Sequence, residues 1–136
     1  MRIAALRERI EGERRVAITP ESARQLVDAG LVVTIESGAG AESGYADAAY
    51  QAAGAEVAAR VALGTVDVLA HVRPLTVETI GALKAGTITV GLASAASELA
   101  AVRALRDARI TSFALEIVPR ISRAQSMDAL TSQSLV

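Results

Sequence analysis

The sequence predicts an α/β fold, a parallel sheet with helices on both faces in a three-layer sandwich of the flavodoxin-like or Rossmann-like kind. Three observations carry this expectation. Short β-type runs alternate with helical patterns along the chain. The runs are almost continuously apolar, as strands covered on both faces must be. The apolar fraction is 51%, yet Tyr45, Tyr50 and Phe113 are the only aromatic residues. The core therefore has to be built from Ala, Val, Leu and Ile, whose small side chains suit helices packed closely on a sheet.

The strand candidates are Arg2–Leu6, Leu31–Glu36, Val66–Val72, Thr87–Leu92 and Thr111–Val118. Between the first two, Thr19-Pro20-Glu21 reads as N-cap, first helical position and favourable first-turn acid, which starts a helix over Pro20–Ala29 that Gly30 ends. Further helices are expected at Ala46–Ala53 with Gly54 as the stop, at Val77–Leu83 ending by Gly86, and at Ser97–Ala108, where Leu99, Val102 and Leu105 have helical spacing. Strand–helix–strand units of this kind close with right-handed crossovers. Ser126 is a plausible N-cap for a last helix over Ser126–Val136, which stops without a Gly, a Pro or a basic last turn, so the chain is expected to end inside an element, as a fragment would.

At 136 residues the chain can bury one core but is short for two, and one domain over residues 1–136 is the expectation. Fourteen basic residues against fifteen acidic ones, with no long basic run, argue against a nucleic-acid partner. The absence of cysteine removes disulfides, thiolate metal sites and cysteine nucleophiles, and one histidine, His71, cannot form a metal cluster alone. Met1-Arg2-Ile3-Ala4-Ala5-Leu6-Arg7 is too quickly charged for a secretory leader, and no apolar run approaches the roughly 18 residues of a membrane span. These features suit a soluble cytoplasmic domain.

Three stretches invite a functional reading. Gly38-Ala39-Gly40-Ala41-Glu42-Ser43 superficially resembles a dinucleotide fingerprint, but serine stands at the third glycine and the stretch does not follow the first strand. Without such a turn, any NAD site on this chain is incomplete. The segment from Arg7 to Pro20 carries several acids and arginines and reads on its own as a solvated loop with exchanging ion pairs. Val118-Pro119-Arg120-Ile121-Ser122-Arg123-Ala124-Gln125-Ser126-Met127-Asp128-Ala129-Leu130 follows the last expected strand, at the edge where open α/β sheets bind ligands. Arg120 offers a fork of donors, Gln125 a donor and an acceptor, and Asp128 an acceptor, the mixture that a carboxamide needs. On spacing alone the plainer reading is a helix cap with a surface Arg–Asp pair.

The stretch from 118 to 130, together with Glu13-Arg14-Arg15-Val16-Ala17-Ile18-Thr19-Pro20 and Glu36-Ser37-Gly38-Ala39-Gly40, resembles the N-terminal domain shared by alanine dehydrogenases and the NAD(P) transhydrogenase alpha subunit. The likeness runs the length of the chain, and the 118–130 loop favours the transhydrogenase branch. It implies an oxidoreductase and translocase in which hydride passes from NADH to NADP⁺ with proton translocation. Arg120, Gln125 and Asp128 would surround the nicotinamide of NAD(H), with Thr131 one turn further on. No residue here need be catalytic. The resemblance further implies that NADP(H) is bound by a partner subunit, that the assembly includes a membrane-embedded subunit, that alpha subunits form a homodimer, and that a central NAD-binding Rossmann domain follows this one, so that the segment alone is inactive.

Alanine dehydrogenases use an arginine, a lysine and a histidine of this domain on the amino acid. Only the arginine is matched, as Arg15; His71 stands at the lysine position and Ala93 at the histidine position. Losing the lysine removes a cation suited to a carboxylate, and losing the histidine removes an acid–base group. His71 itself reads as a satisfied or exposed histidine rather than a site residue. Two alternatives stay open at this stage, an amino-acid dehydrogenase with an altered pocket and a non-enzymatic interaction module.

Overall fold

The computed structural model describes residues 1–91 and 99–114, with the backbone alone described for 99–102 and 114. Six strands, β1 (Arg2–Ala5), β2 (Val32–Glu36), β3 (Glu56–Ala58), β4 (Val68–His71), β5 (Ile88–Gly91) and β6 (Thr111–Ala114), form one sheet in the order β3-β2-β1-β4-β5-β6. Every pairing is parallel. This is the Rossmann strand order, and it settles the choice that the sequence leaves between two doubly wound arrangements.

Among the described residues four α-helices connect the strands: α1 (Pro20–Asp28), α2 (Asp47–Ala52), α3 (Val77–Ala82) and α4 (Leu99–Asp107). The α1 start is the one expected, with the Thr19 side chain accepting from Ser22 N–H and Pro20 in the first turn. Thr76 caps α3 in the same way, accepting from Thr79 N–H. All of the expected strands recur among the described residues; β1, β2, β4 and β5 are shorter than their apolar runs, and β6 extends to Ala114, where the described residues end. β3 is not expected from the sequence: three residues just beyond a helix stop make too short a run to stand out from a loop, and only pairing of Thr34, Ile35 and Glu36 with Glu56, Val57 and Ala58 creates it. The expected helix over Ser126–Val136 lies outside the described residues.

Two apolar layers sandwich the sheet. On one face Ala4 and Leu69 pack with Ile80 and Leu83 of the α3 region and Leu105 of α4. On the other, Ala5, Val33 and Ile35 pack with Ala23 of α1 and Tyr50 of α2. Ala4 and Ala5, both fully buried, place the smallest side chains on the two faces of a central strand, which lets helices approach from both sides. The connections to β2 and β3 lie on one face and those to β5 and β6 on the other. The chain therefore reverses direction across the sheet between β1 and β4, and the crevice opens there.

Candidate functional site

In an open parallel sheet, neighbouring connections that depart to opposite faces leave a gap at the carboxyl ends of the strands, and ligands bind in it. Here that gap lies beyond Ala5 and His71. It is a cavity of about 330 Å³ with apolar walls that include Leu6, Val61, Leu63, Leu69 and Leu75, and with Arg7, Arg9, Arg60 and Arg73 among its polar lining.

The segment leaving β1 is more ordered than a solvated loop of exchanging pairs. Glu8 crosses the crevice, its carboxylate accepting from Val72 N–H at 2.9 Å and Arg73 N–H at 3.2 Å. Burial raises the Glu8 carboxyl above its ordinary value, offset in part by those two amides. Glu13 is buried and accepts from Arg15 Nε at 2.9 Å, Arg15 Nη2 at 3.0 Å and Arg73 Nε at 2.7 Å. The Arg15 guanidinium foremost, then its backbone N–H and Arg73, outweigh burial and hold the Glu13 carboxyl at about 2. Glu36, at the end of β2, accepts from Arg7 N–H at 2.6 Å and from both terminal nitrogens of Arg9 at 3.1 and 2.7 Å. Burial works against the Glu36 charge, but the donors from Arg9 and Arg7 prevail and leave the carboxyl below its usual range. Isolated ion pairs at a surface contribute little, but buried carboxylates with several donors fix loop geometry.

His71 forms part of the crevice floor. Its Nδ1 lies 2.8 Å from the Arg73 carbonyl oxygen and so must carry the proton, leaving Nε2 as an acceptor. Among the described residues Nε2 is buried without a hydrogen-bond partner, as is Thr89 Oγ1 on the neighbouring strand. Burial lowers the imidazole pKa against the opposing bond to the Arg73 carbonyl, so the ring is neutral at pH 7. The ring lies over Gly91, where a Cβ would stand 2.1 Å from His71 Cε1. Among the described residues His71 is thus half satisfied, with Nδ1 bonded and Nε2 not.

The glycine-rich turn after β2 is committed internally. Gly38 N–H and the Ser37 hydroxyl bond the two carboxylate oxygens of Asp47, the first residue of α2, at 2.9 and 2.6 Å. An anion at this turn would therefore meet a carboxylate. A Cβ on Gly40 would lie 2.7 Å from the Tyr50 hydroxyl and 2.8 Å from Tyr45 Cβ, so this glycine serves tyrosine packing. The rejection of a fingerprint here agrees with that geometry.

Arg120, Gln125, Asp128 and Thr131, the residues singled out from the sequence, lie outside the described residues, as does Ala93. The sequence does not reveal that Arg73 of the crevice meets Glu8 and Glu13, because Arg73 is remote along the chain from its two acidic partners. Among the described residues no group of three or more His, Cys, Asp or Glu could hold a metal ion, and no helix is long and apolar enough to cross a membrane.

Strand order and crevice define a Rossmann-like α/β domain with a ligand-type edge at its topological switch point. Residues 4–136 match the family model described as alanine dehydrogenase/PNT, N-terminal domain, and the chain belongs to that family. It is 44% identical, over 98% of its length, to the first portion of the NAD(P) transhydrogenase alpha subunit of Rhodospirillum rubrum, of which it covers 37%. Among solved structures it resembles the transhydrogenase of Sinorhizobium meliloti with a TM-score of 0.87 and 36% identity, covering 98% of this chain and 40% of that one. An L-alanine dehydrogenase structure follows at 0.78 and 27% identity, covering 84% and 32% respectively. The chain thus spans less than half the length of these relatives.

Proposed function

We propose that this chain is the N-terminal domain of a transhydrogenase alpha subunit. The complete enzyme transfers hydride from NADH to NADP⁺ with coupled proton translocation. Arg120, Gln125, Asp128 and Thr131 orient the nicotinamide of NAD(H). The strongest support is the 44% identity to the Rhodospirillum rubrum subunit over 98% of the chain, together with the loop at 118–130. Because β6 is parallel to its neighbours, the chain leaves Ala114 at the same edge as the crevice, a few residues before that loop begins.

When bound, NADH supplies the hydride, and the demand on this domain is positional. Hydride transfer needs the two nicotinamides in near contact and aligned, and hydrogen bonds to the carboxamide supply that orientation. The Arg120 guanidinium and the Gln125 amide would serve as donors to a carboxamide oxygen, and the Gln125 oxygen and the Asp128 carboxylate as acceptors for its nitrogen. The NADP(H)-binding and membrane-embedded partner subunits, the homodimer and the cytoplasmic placement belong to the same proposal.

The test is transhydrogenation by the assembled enzyme carrying Arg120→Ala, Gln125→Ala or Asp128→Ala. Each is expected to lower kcat by tenfold or more, in line with the roughly 1.4 kcal/mol or more that a charged or well-aligned hydrogen bond carries. Unchanged kcat in all three would remove the positioning role.

The similarity to an alanine dehydrogenase structure favours a second reading, an amino-acid dehydrogenase. Against it, the Arg15 guanidinium is engaged by Glu13 and position 71 holds a neutral imidazole. Alanine-dependent NADH formation by the complete protein would establish that reading.

A further inference from the structure

The two halves of the sheet are covered differently. β2, with a neighbour on each side, is buried on both faces, Val33 and Ile35 beneath α1 and α2 and Thr34 and Glu36 on the other. β4 and β5 are interior strands too, yet only one face of each is buried. Leu69, Thr89 and Gly91 are buried on the side of α3 and α4, whereas Val68, Ala70, Ile88 and Val90 on the opposite side are half-buried. Parallel pairing sets Ala5 beside Ala70, Ala70 beside Val90 and Val90 beside Phe113, so this face runs unbroken to the edge strand, where Phe113 is 55% exposed. The described helices are committed elsewhere: α1 packs on β2, α2 on β3, and α3 and α4 on the other face. A parallel sheet is covered on both faces, and a contiguous open stretch of apolar side chains marks a contact surface.

The segment that follows β6 has the starting point, the length and the pattern to cover this face. Residues 115–136 leave from the strand that carries Phe113. The stretch between Ala114 and Ser126 reaches about 35 Å when extended, and three neighbouring strands span only about 10 Å. The helix expected over residues 126–136 is about 16 Å long at 1.5 Å per residue, close to the roughly 13 Å of a four-residue strand such as β5. Within it Met127, Leu130, Ser134 and Leu135 recur at i, i+3, i+7 and i+8 as an uncharged stripe, and Asp128, its one charged residue, lies off that stripe. The sheet face is uncharged as well. A second copy of the chain on this face would leave the stripe in water, whereas docking the chain's own segment buries both apolar surfaces at once.

We propose that residues 126–136 form a helix that docks its Met127, Leu130 and Leu135 stripe on the open face of β4, β5 and β6, antiparallel to the strands. Entering from the carboxyl edge, the helix sets Met127 over Val90 and Leu135 toward Ile88. It completes the helical layer over this half of the sheet and anchors the 118–130 loop at the carboxyl edge. The docking rests on the uncovered face and stands whether or not that loop orients a nicotinamide.

The experiment is thiol cross-linking in this chain, which has no cysteine of its own to compete. Facing Cα atoms of a helix and a sheet can lie beyond the roughly 7 Å of a disulfide, so a cross-linker spanning about 8 Å joins the thiols. Val90→Cys with Met127→Cys, and Ile88→Cys with Leu135→Cys, should each link within the monomer. Val77→Cys, exposed on α3 across the sheet, with Met127→Cys should link about tenfold less, since only contact gives two tethered thiols a high effective concentration. Cysteine is a small apolar replacement at these positions, and far-UV circular dichroism checks the fold. Links formed only between chains would give the face to a second copy and overturn the proposal, as would links no more frequent than in the Val77 pair. A second readout needs no cysteine: with fluorine on Phe113, the one phenylalanine, Met127→Asp with Leu130→Asp should move its resonance toward the solvent-exposed value, and Gln133→Asp, off the stripe, should not. A Phe113 resonance indifferent to the stripe variant would also overturn the docking.

Discussion

Replacing Glu13 by glutamine tests whether the segment leaving β1 is held by a buried carboxylate. The side chain is 3% exposed and receives four donors, three from Arg15 including its backbone N–H and one from Arg73. A carboxyl that falls from 4.5 to about 2 on folding corresponds to roughly 3 kcal/mol. The two guanidiniums are 63% and 44% exposed, and solvent screening reduces this to about 2 kcal/mol. Because the folded pKa is depressed, the stabilisation is present in full above pH 4.5 and is lost as pH falls toward 2. Urea unfolding followed by circular dichroism should therefore show Glu13→Gln less stable than the parent by about 2 kcal/mol at pH 7, with less than half of that difference left at pH 3. An equal deficit at both pH values, or none at pH 7, would refute the reasoning.

Gly91→Ala sets a methyl against the His71 ring and should cost about 1–3 kcal/mol, with His71→Ala in the same chain restoring part of it; additive losses in the double variant would mean that the two positions do not touch. Tyr50→Phe removes the buried hydroxyl that donates to the Ile18 carbonyl at 2.6 Å, with a loss of about 1 kcal/mol expected in urea unfolding and no change in fold. Thr19→Ala removes the α1 cap and should lower stability by about 1 kcal/mol, whereas Thr19→Ser should retain most of it. His71, with its pKa lowered by burial, should show an NMR titration below the ordinary histidine value, and its contribution disfavours the folded state as pH falls below 6.5; titration at or above 6.5 would contradict the buried neutral ring.

The fold is legible in the sequence because its signals are local. Thr19-Pro20-Glu21 carries a cap, a fixed φ and a first-turn acid in three consecutive residues, and Gly30, at φ 96, ends that helix. β3 escapes a sequence reading because Glu56–Ala58 is a strand only by virtue of its neighbour β2. The site is less legible. Composition shows that Glu8, Glu13 and Arg15 lie in a charged segment, but the fixed positions of the two carboxylates depend on Val72 and Arg73, which the switch-point topology brings across the sheet. His71 likewise reads as exposed or satisfied from sequence, and only its register opposite Gly91 shows why the ring fits there. The nicotinamide residues follow from resemblance rather than spacing, since an Arg–Asp pair before a helix has an ordinary structural meaning as well.

A titration of this chain with NADH, followed through the amide resonances of Arg120, Gln125 and Asp128, tests the central claim most directly. Weak, saturable shifts that include all three are the predicted result. No shift at these positions at millimolar NADH would contradict the assignment of a nicotinamide-positioning role to this domain.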